Sequence, residues 1–271
     1  MITFSATLTC RFDAIFSPFA PHELEQGFAW LASSGFDAAE LTINDYDGLD
    51  VRQLKQQLDQ FGLGCTTIAT GQARKRNGLS LLSSDPNVVH KTQQRLREHI
   101  EAAALLGSQV TLGSLRAPDR AMSKTEYIHS LAEAMRPCVD YARQCNVPLI
   151  VEALNRYEIS HLHSATDMME FMALSDAPGN VGILWDVFHA NIEDPDFASA
   201  IAHMGSRLRH VHLADSNRHF PGYGHLPIES IYNMLQRAGY QGAISLECFC
   251  LPSKEAVIQG AGPLLKRLRA L

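Results

Sequence analysis

The sequence has no apolar run approaching the ~20 residues that a membrane-spanning helix requires, so a bilayer span is not expected. It has no Cys-x-x-Cys pair: Cys10, Cys65, Cys138, Cys145, Cys248 and Cys250 are scattered, without zinc-ribbon spacing. Thiols distributed in this way are expected to be reduced and structural, as in a cytosolic protein. Residues 1–10 form a β-like run with neither a basic leader nor a long apolar core. A signal peptide is therefore not expected, and the cytoplasm is the expected compartment. There is no phosphate-cradling P-loop and no Gly-x-Ser-x-Gly elbow, and Gly222-x-Gly224 lacks the strand–turn–helix setting of a dinucleotide motif. Basic charge is short as well. Lys plus Arg number 23 against 29 Asp plus Glu, a net charge of -6, which leaves no electrostatic footprint for a phosphate backbone. Nucleic acid is not an expected partner. No Pro- or Ser-rich linker and no low-complexity tract interrupts the chain, so residues 1–271 are expected to form a single domain.

What is present is alternation. The 46% hydrophobic content suffices for a sizeable core. Strand-like runs fall at 2–8, 38–43, 65–70, 109–113, 148–154, 181–187, 208–213 and 243–248. Helical periodicity follows each, near 22–34, 51–61, 86–106, 124–145, 165–174, 197–204, 227–238 and 253–269. Eight βα units in strict order predict a parallel sheet closed into a (β/α)8 TIM barrel. Punctuation agrees with this division. Ser84-Asp85-Pro86 reads as a helix start, and Gly35, Gly62, Gly107 and Gly239 each stand where a left-handed helix cap would fall. The connections at 71–85 and 214–226 are unusually long, and long loops at a barrel mouth tend to be functional.

Four polar residues occupy positions where a buried strand should be apolar: Glu152, Asp186, His212 and Glu247. Each lies near the carboxyl end of its strand, and the strands are consecutive, the fifth to the eighth. A barrel brings such ends to one mouth. Taken singly, a strand-end acid serves equally as a salt-bridge partner or helix N-cap, and a core histidine is often simply hydrogen-bonded. The recurrence on neighbouring strands points instead to a shared cation, because burying three unpaired carboxylates would be very unfavourable. Three carboxylates and one imidazole form a hard donor set that suits one divalent ion, Mn2+ first, with Mg2+ or Co2+ as alternatives. The absence of cysteine from the set argues against structural zinc. Glu158, His189 and Arg218 would add an acceptor, a donor and a fixed positive charge at the mouth, although an ordinary loop or surface role fits each alone. His210 shares strand parity with His212 and is expected to be a satisfied core histidine. His161, His163, His219 and His225 are loop residues without a spacing logic. The three cations of Gly71-Gln72-Ala73-Arg74-Lys75-Arg76 fit either anion binding or a solvated loop tip.

These motifs resemble a known family. Val151-Glu152-Ala153-Leu154-Asn155-Arg156-Tyr157-Glu158, Trp185-Asp186-Val187-Phe188-His189, His212-Leu213-Ala214-Asp215-Ser216-Asn217-Arg218 and Ser245-Leu246-Glu247-Cys248 are similar to the ketose 3-epimerase group of the xylose-isomerase-like barrels, also termed AP endonuclease family 2. Thr70-Gly71-Gln72 followed by Gly78-Leu79-Ser80-Leu81 looks closer still to 5-keto-L-gluconate epimerases. The likeness spans essentially the whole chain and is strongest from residue 148 onward. By position, it implies that Glu152, Asp186, His212 and Glu247 bind the metal and that Glu152 and Glu247 form the acid/base pair. Glu158, His189 and Arg218 would contact the carbonyl end of a sugar or sugar acid. Trp185 departs from the small or apolar residue often found before the aspartate, and packing against a helix would account for it. An aldose–ketose isomerase, of sugar or hydroxypyruvate type, would use the same metal site. A catalytically silent sugar-binding module would need no metal, and an abasic-site endonuclease would need more His and Asp ligands than these strand ends offer. Homo-oligomers are compatible with such barrels, though no surface stripe marks an interface.

Overall fold

The computed structural model describes residues 2–271; Met1, the first residue of the run read against a leader, lies outside the described residues. The strands β1 (Thr3–Thr9), β2 (Ala38–Thr42), β3 (Gly64–Ala69), β4 (Gln109–Leu112), β5 (Leu149–Glu152), β6 (Val181–Asp186), β7 (Leu208–Leu213) and β8 (Ala243–Leu246) pair in sequence order. All pairings are parallel, and β8 closes onto β1. The barrel expected from the alternation is therefore present, with strand limits within a few residues of the sequence reading.

Ten α-helices surround the barrel among the described residues, two more than the periodicity indicated. They are α1 (Leu24–Ser34), α2 (Val51–Gln60), α3 (Gly71–Asn77), α4 (Pro86–Leu106), α5 (Lys124–Gln144), α6 (Ala165–Leu174), α7 (Val187–Glu193), α8 (Phe197–Met204), α9 (Ile228–Arg237) and α10 (Lys254–Arg269). The additions are α3 and α7. Residues 71–77, read as loop, form α3, and α7 starts directly from the end of β6. Each spans seven residues, too few for an apolar periodicity to stand out. The caps follow the sequence closely. Asp85 accepts from the Asn87 N–H at 2.8 Å ahead of Pro86, and Gly35, Gly62, Gly107 and Gly239 all have positive φ. Such an N-cap contributes about 1 kcal/mol.

The apolar core lies chiefly between barrel and helices. Trp185 is fully buried there, edge-on to Phe197 at 5.6 Å, with its indole N–H donating to Asp194 at 2.9 Å. It packs against a helix, as anticipated, and its strand neighbour Asp186 faces the other way. The barrel interior, by contrast, carries a polar column. Thr66 donates to Ser5 at 2.9 Å and Thr7 to Glu40 at 3.3 Å, beneath the cluster of strand-end side chains.

Candidate metal centre

Strand ends deliver the four predicted ligands to one point. Glu152 and Asp186 are the last residues of β5 and β6, His212 is the penultimate residue of β7, and Glu247 follows β8 directly. One donor atom from each lies within 4.8 Å of the other three. The Nδ1 of His212 sits 3.3 Å from Glu152 Oε1, 3.2 Å from Glu247 Oε2 and 4.0 Å from Asp186 Oδ2. Atoms bound about 2.1 Å from one octahedral centre would stand about 3.0 to 4.2 Å apart, so the spacing fits a single small cation.

Two further observations support that fit. His212 Nδ1 and Asp186 Oδ2 are buried without a hydrogen-bond partner, and both aim into the cluster. An orphaned polar atom is costly unless something occupies the site. Charge gives the second. Three carboxylates face Arg218, whose guanidinium approaches Glu247 at 3.3 Å and Asp186 at 3.7 Å. Arg218 also pairs with Glu158 at 2.9 Å and Glu40 adds a further carboxylate beside His212, so the cluster keeps an excess of negative charge that a cation would offset. Asp186 also meets the alternative reading of a strand-end acid: its Oδ1 accepts the Phe188 N–H at 2.8 Å and caps α7, while Oδ2 remains for the cation.

The acidities reflect this crowding. Burial pushes Glu152 above the usual carboxylate range and Asp186 up to about 6. Burial also opposes ionisation of Glu247, but His212 and Arg218 outweigh it and hold its carboxyl low. Burial disfavours the charged form of His212, yet Glu247 and Glu40 overcome it and draw a proton onto the ring. A divalent cation would take the place of that proton.

The three residues assigned to substrate stand around the same point. Arg218, in the β7–α9 loop at φ 61°, donates to Glu158 Oε1 at 2.9 Å and lies over the rings of Phe16, Phe188 and Phe249 at 4.8 to 5.6 Å. A guanidinium held by aromatic faces and carboxylates is fixed in direction. Its loop is tied by Asp215, which accepts N–H donors from Ser216, Gly222 and Leu226 at 2.7 to 3.0 Å. Gly224 closes this knot, for a Cβ there would collide with the Asp215 carboxylate. That is the structural use of Gly222-x-Gly224. On α7, His189 Nδ1 faces the Asn155 amide nitrogen at 2.7 Å, and the amide oxygen is occupied by the Tyr157 N–H. Nδ1 therefore accepts and Nε2 is left to carry the proton, 3.5 Å from Asp186 Oδ2 and, at the same distance, beside Arg218 Nη2. Burial, then Arg218, lowers the ring to about 4, so His189 is neutral at pH 7.

The site opens into a cavity of about 740 Å³ whose lining includes Glu152, Glu158, Arg218 and Glu247. Arg74, Lys75 and Arg76 of α3 line its rim. Arg74 donates to the Ser114 carbonyl at 3.1 Å, and Arg76 lies over Phe12 at 4.4 Å. His161 and His163, unassigned from the sequence, bond main-chain carbonyls of Met122 and Leu154 at 2.9 and 2.8 Å and fasten the β5–α6 loop.

Three contributors escaped the sequence reading. Glu40, fully buried on β2, accepts from both His210 and His212, so His210 is hydrogen-bonded as expected, but to a group that also touches a ligand. Its signal was an acid inside Ala38-Ala39-Glu40-Leu41, the same criterion that singled out the ligands, on a strand remote from theirs in sequence. Arg116, also fully buried, donates to the main-chain carbonyls of Glu152, His161 and Leu162 at 2.6 to 3.2 Å and clamps the turn carrying Glu158. Gly113 follows β4 directly, where any Cβ would fall well inside contact distance of Glu152 Oε2. Gly113→Ala is therefore expected to displace that carboxylate and weaken Mn2+ binding about tenfold or more, by analogy with the loss of other groups that orient a ligand. Isothermal titration on a variant whose circular dichroism matches wild type checks this; unchanged affinity would show that the space is not needed.

A closed parallel barrel with an acid–imidazole cluster at its carboxyl mouth defines a class of barrel proteins whose mouth could hold a metal ion. The chain belongs to the xylose isomerase-like TIM barrel family, whose profile matches residues 28–268. Among curated relatives, a ketose 3-epimerase of Arthrobacter globiformis is 27% identical over 219 residues, covering 80% of this chain and 74% of that protein. A 3-dehydro-D-guloside 4-epimerase of Escherichia coli K12 is 24% identical over 246 residues, covering 84% and 88%. Epimerases of this kind are isomerases. In fold, the chain resembles a crystal structure of the D-psicose 3-epimerase of Clostridium cellulolyticum H10 with D-tagatose, at TM-score 0.83 and 21% identity over 99% of both chains.

Proposed function

We propose that this chain is a divalent-metal sugar epimerase, working as one barrel domain over residues 1–271, that inverts a carbon beside a ketone. The observation that carries the reading is the pair Glu152 and Glu247, which bring one carboxylate oxygen each to within 3.3 Å of His212 Nδ1 in a four-donor cluster. The similarity to epimerases of ketoses and of a keto-glucoside supports it. Glu152, Asp186, His212 and Glu247 hold the ion, with Mn2+ the first choice for so hard a donor set. When bound, it supplies the positive charge that stabilises an enediolate beside a carbonyl.

The chain's own groups do the rest. Glu152 on one face takes the proton and Glu247 on the other returns one, so the carbon emerges inverted. Asp186 is a holder and cap. Arg218, His189 and Glu158 orient the oxygens at the carbonyl end: Arg218 and the Nε2–H of His189 donate, and Glu158 accepts. The cationic rim formed by Arg74, Lys75 and Arg76 favours keto-acid sugars alongside neutral ketoses as candidate substrates. Incubating the Mn2+-loaded protein with a panel of both in D2O tests the reading. Loss of the proton next to the carbonyl, with an epimeric ketose as product by NMR, is the expected result. An aldose product would make the chain an aldose–ketose isomerase, and no exchange with any member would refute the proposal.

A further inference from the structure

We infer that Glu40 is a positioning residue that presents His212 to the cation in the tautomer that can bind it. This rests on the metal-site reading above but not on the identity of any sugar. Glu40 lies in the middle of β2, fully buried, and does not reach the substrate cavity. One oxygen, Oε2, accepts from His210 Nε2 at 3.0 Å and from His212 Nε2 at 3.1 Å, and the other, Oε1, takes the Thr7 hydroxyl at 3.3 Å. A carboxylate only accepts, so both imidazoles must turn an N–H toward it. A neutral imidazole has a single N–H. With that proton on Nε2, His212 keeps a free lone pair on Nδ1, the atom left without a hydrogen-bond partner 3.2 to 4.0 Å from the three carboxylates. Had the proton stood on Nδ1, the cation would be excluded.

His210 explains why the carboxylate stays in place. Its ring stands at 86° to that of His212, 5.3 Å away, and supplies the second donor that fixes Oε2 from the other side. A buried carboxylate is expensive where an apolar side chain would fill the same space, so the three donors stabilise a group whose contribution lies in direction rather than packing. Partners of this kind typically set the orientation and basicity of a ligating imidazole, and losing one costs about 10- to 100-fold in metal affinity.

The test compares the full-length chain with E40Q, which keeps the shape but replaces the acceptor pair with an amide. Mn2+ binding is titrated calorimetrically, and histidine-labelled 15N spectra of the Mg2+-loaded proteins locate the imidazole protons. The expected result is one Mn2+ per chain, bound about 10- to 100-fold more weakly by E40Q, with the His212 proton on Nε2 in the wild type. Three outcomes would overturn the inference: E40Q affinity within about twofold of wild type, a wild-type proton on Nδ1, or a second Mn2+ site lost with Glu40. The last would make Glu40, His210 and His212 ligands in their own right. If E40Q does not fold, the wild-type spectrum decides alone. A wild type that binds no Mn2+ removes the metal reading and this inference together, whereas metal binding without sugar turnover refutes only the sugar reading.

Discussion

Replacing Glu152 or Glu247 with glutamine is expected to lower turnover by about 10²- to 10⁴-fold, the usual contribution of a positioned proton-transfer group. Each variant keeps the side-chain shape and one oxygen donor, so the loss should exceed any decline in metal occupancy. Turnover is therefore measured at saturating Mn2+, with bound metal quantified in the same samples. Solvent deuterium at the inverted carbon is the sharper readout. Glu152 takes the proton on one face and Glu247 delivers on the other, so neither variant should place deuterium there in a completed inversion. Retained exchange in both variants would sink the two-base scheme. The structure lends the pair an asymmetry, since Glu152 is raised by burial while Glu247 is held low by His212 and Arg218.

Removing the metal is the second large effect. Chelation of the loaded protein is expected to abolish turnover and lower the melting temperature. At metal 100-fold above its Kd, binding to the folded state alone contributes about 2.7 kcal/mol, which corresponds to roughly 5–10 °C for a chain of this size. The effect should fade in acid. The ion displaces protons from its ligands, so affinity falls as pH drops through the folded-state pKa of Asp186, about 6, while the proton drawn onto His212 opposes binding above that range as well. Melting curves with and without Mn2+ at pH 7.5 and pH 5 measure both points. Asp186→Ala should lose the metal-induced shift at either pH, and also about 1 kcal/mol from the lost α7 cap. A wild-type shift that is equal at the two pH values would contradict the assignment of Asp186 as a ligand.

Much of this was legible because a closed barrel imposes regularity on sequence. Polar residues at strand ends stand out against Val, Ile and Leu, and Glu152, Asp186, His212 and Glu247 do so on four successive strands. Trp185 and the glycine caps were equally plain, since each is governed by its own strand or helix end. The two short helices α3 and α7 were not, because seven residues hold too few turns to show an apolar face. Glu40 had the same signature as the ligands, but it sits 170 residues before His210 and is not at the end of its strand. Gly113 and Arg116 carry no signal of their own, for one acts by the space it leaves and the other through main-chain carbonyls.

The sequence by itself determined the barrel and the four clustered donors, because hydrophobic alternation and donor chemistry are properties of residues in order. Only the tertiary structure decided which nitrogen of His212 faces the carboxylates, which acid turns the ring, and that Arg218 is locked among three aromatic faces. Those are relations across the barrel between residues far apart in the chain. Their directions arise from closure of the sheet and from the need to satisfy every buried donor and acceptor at once.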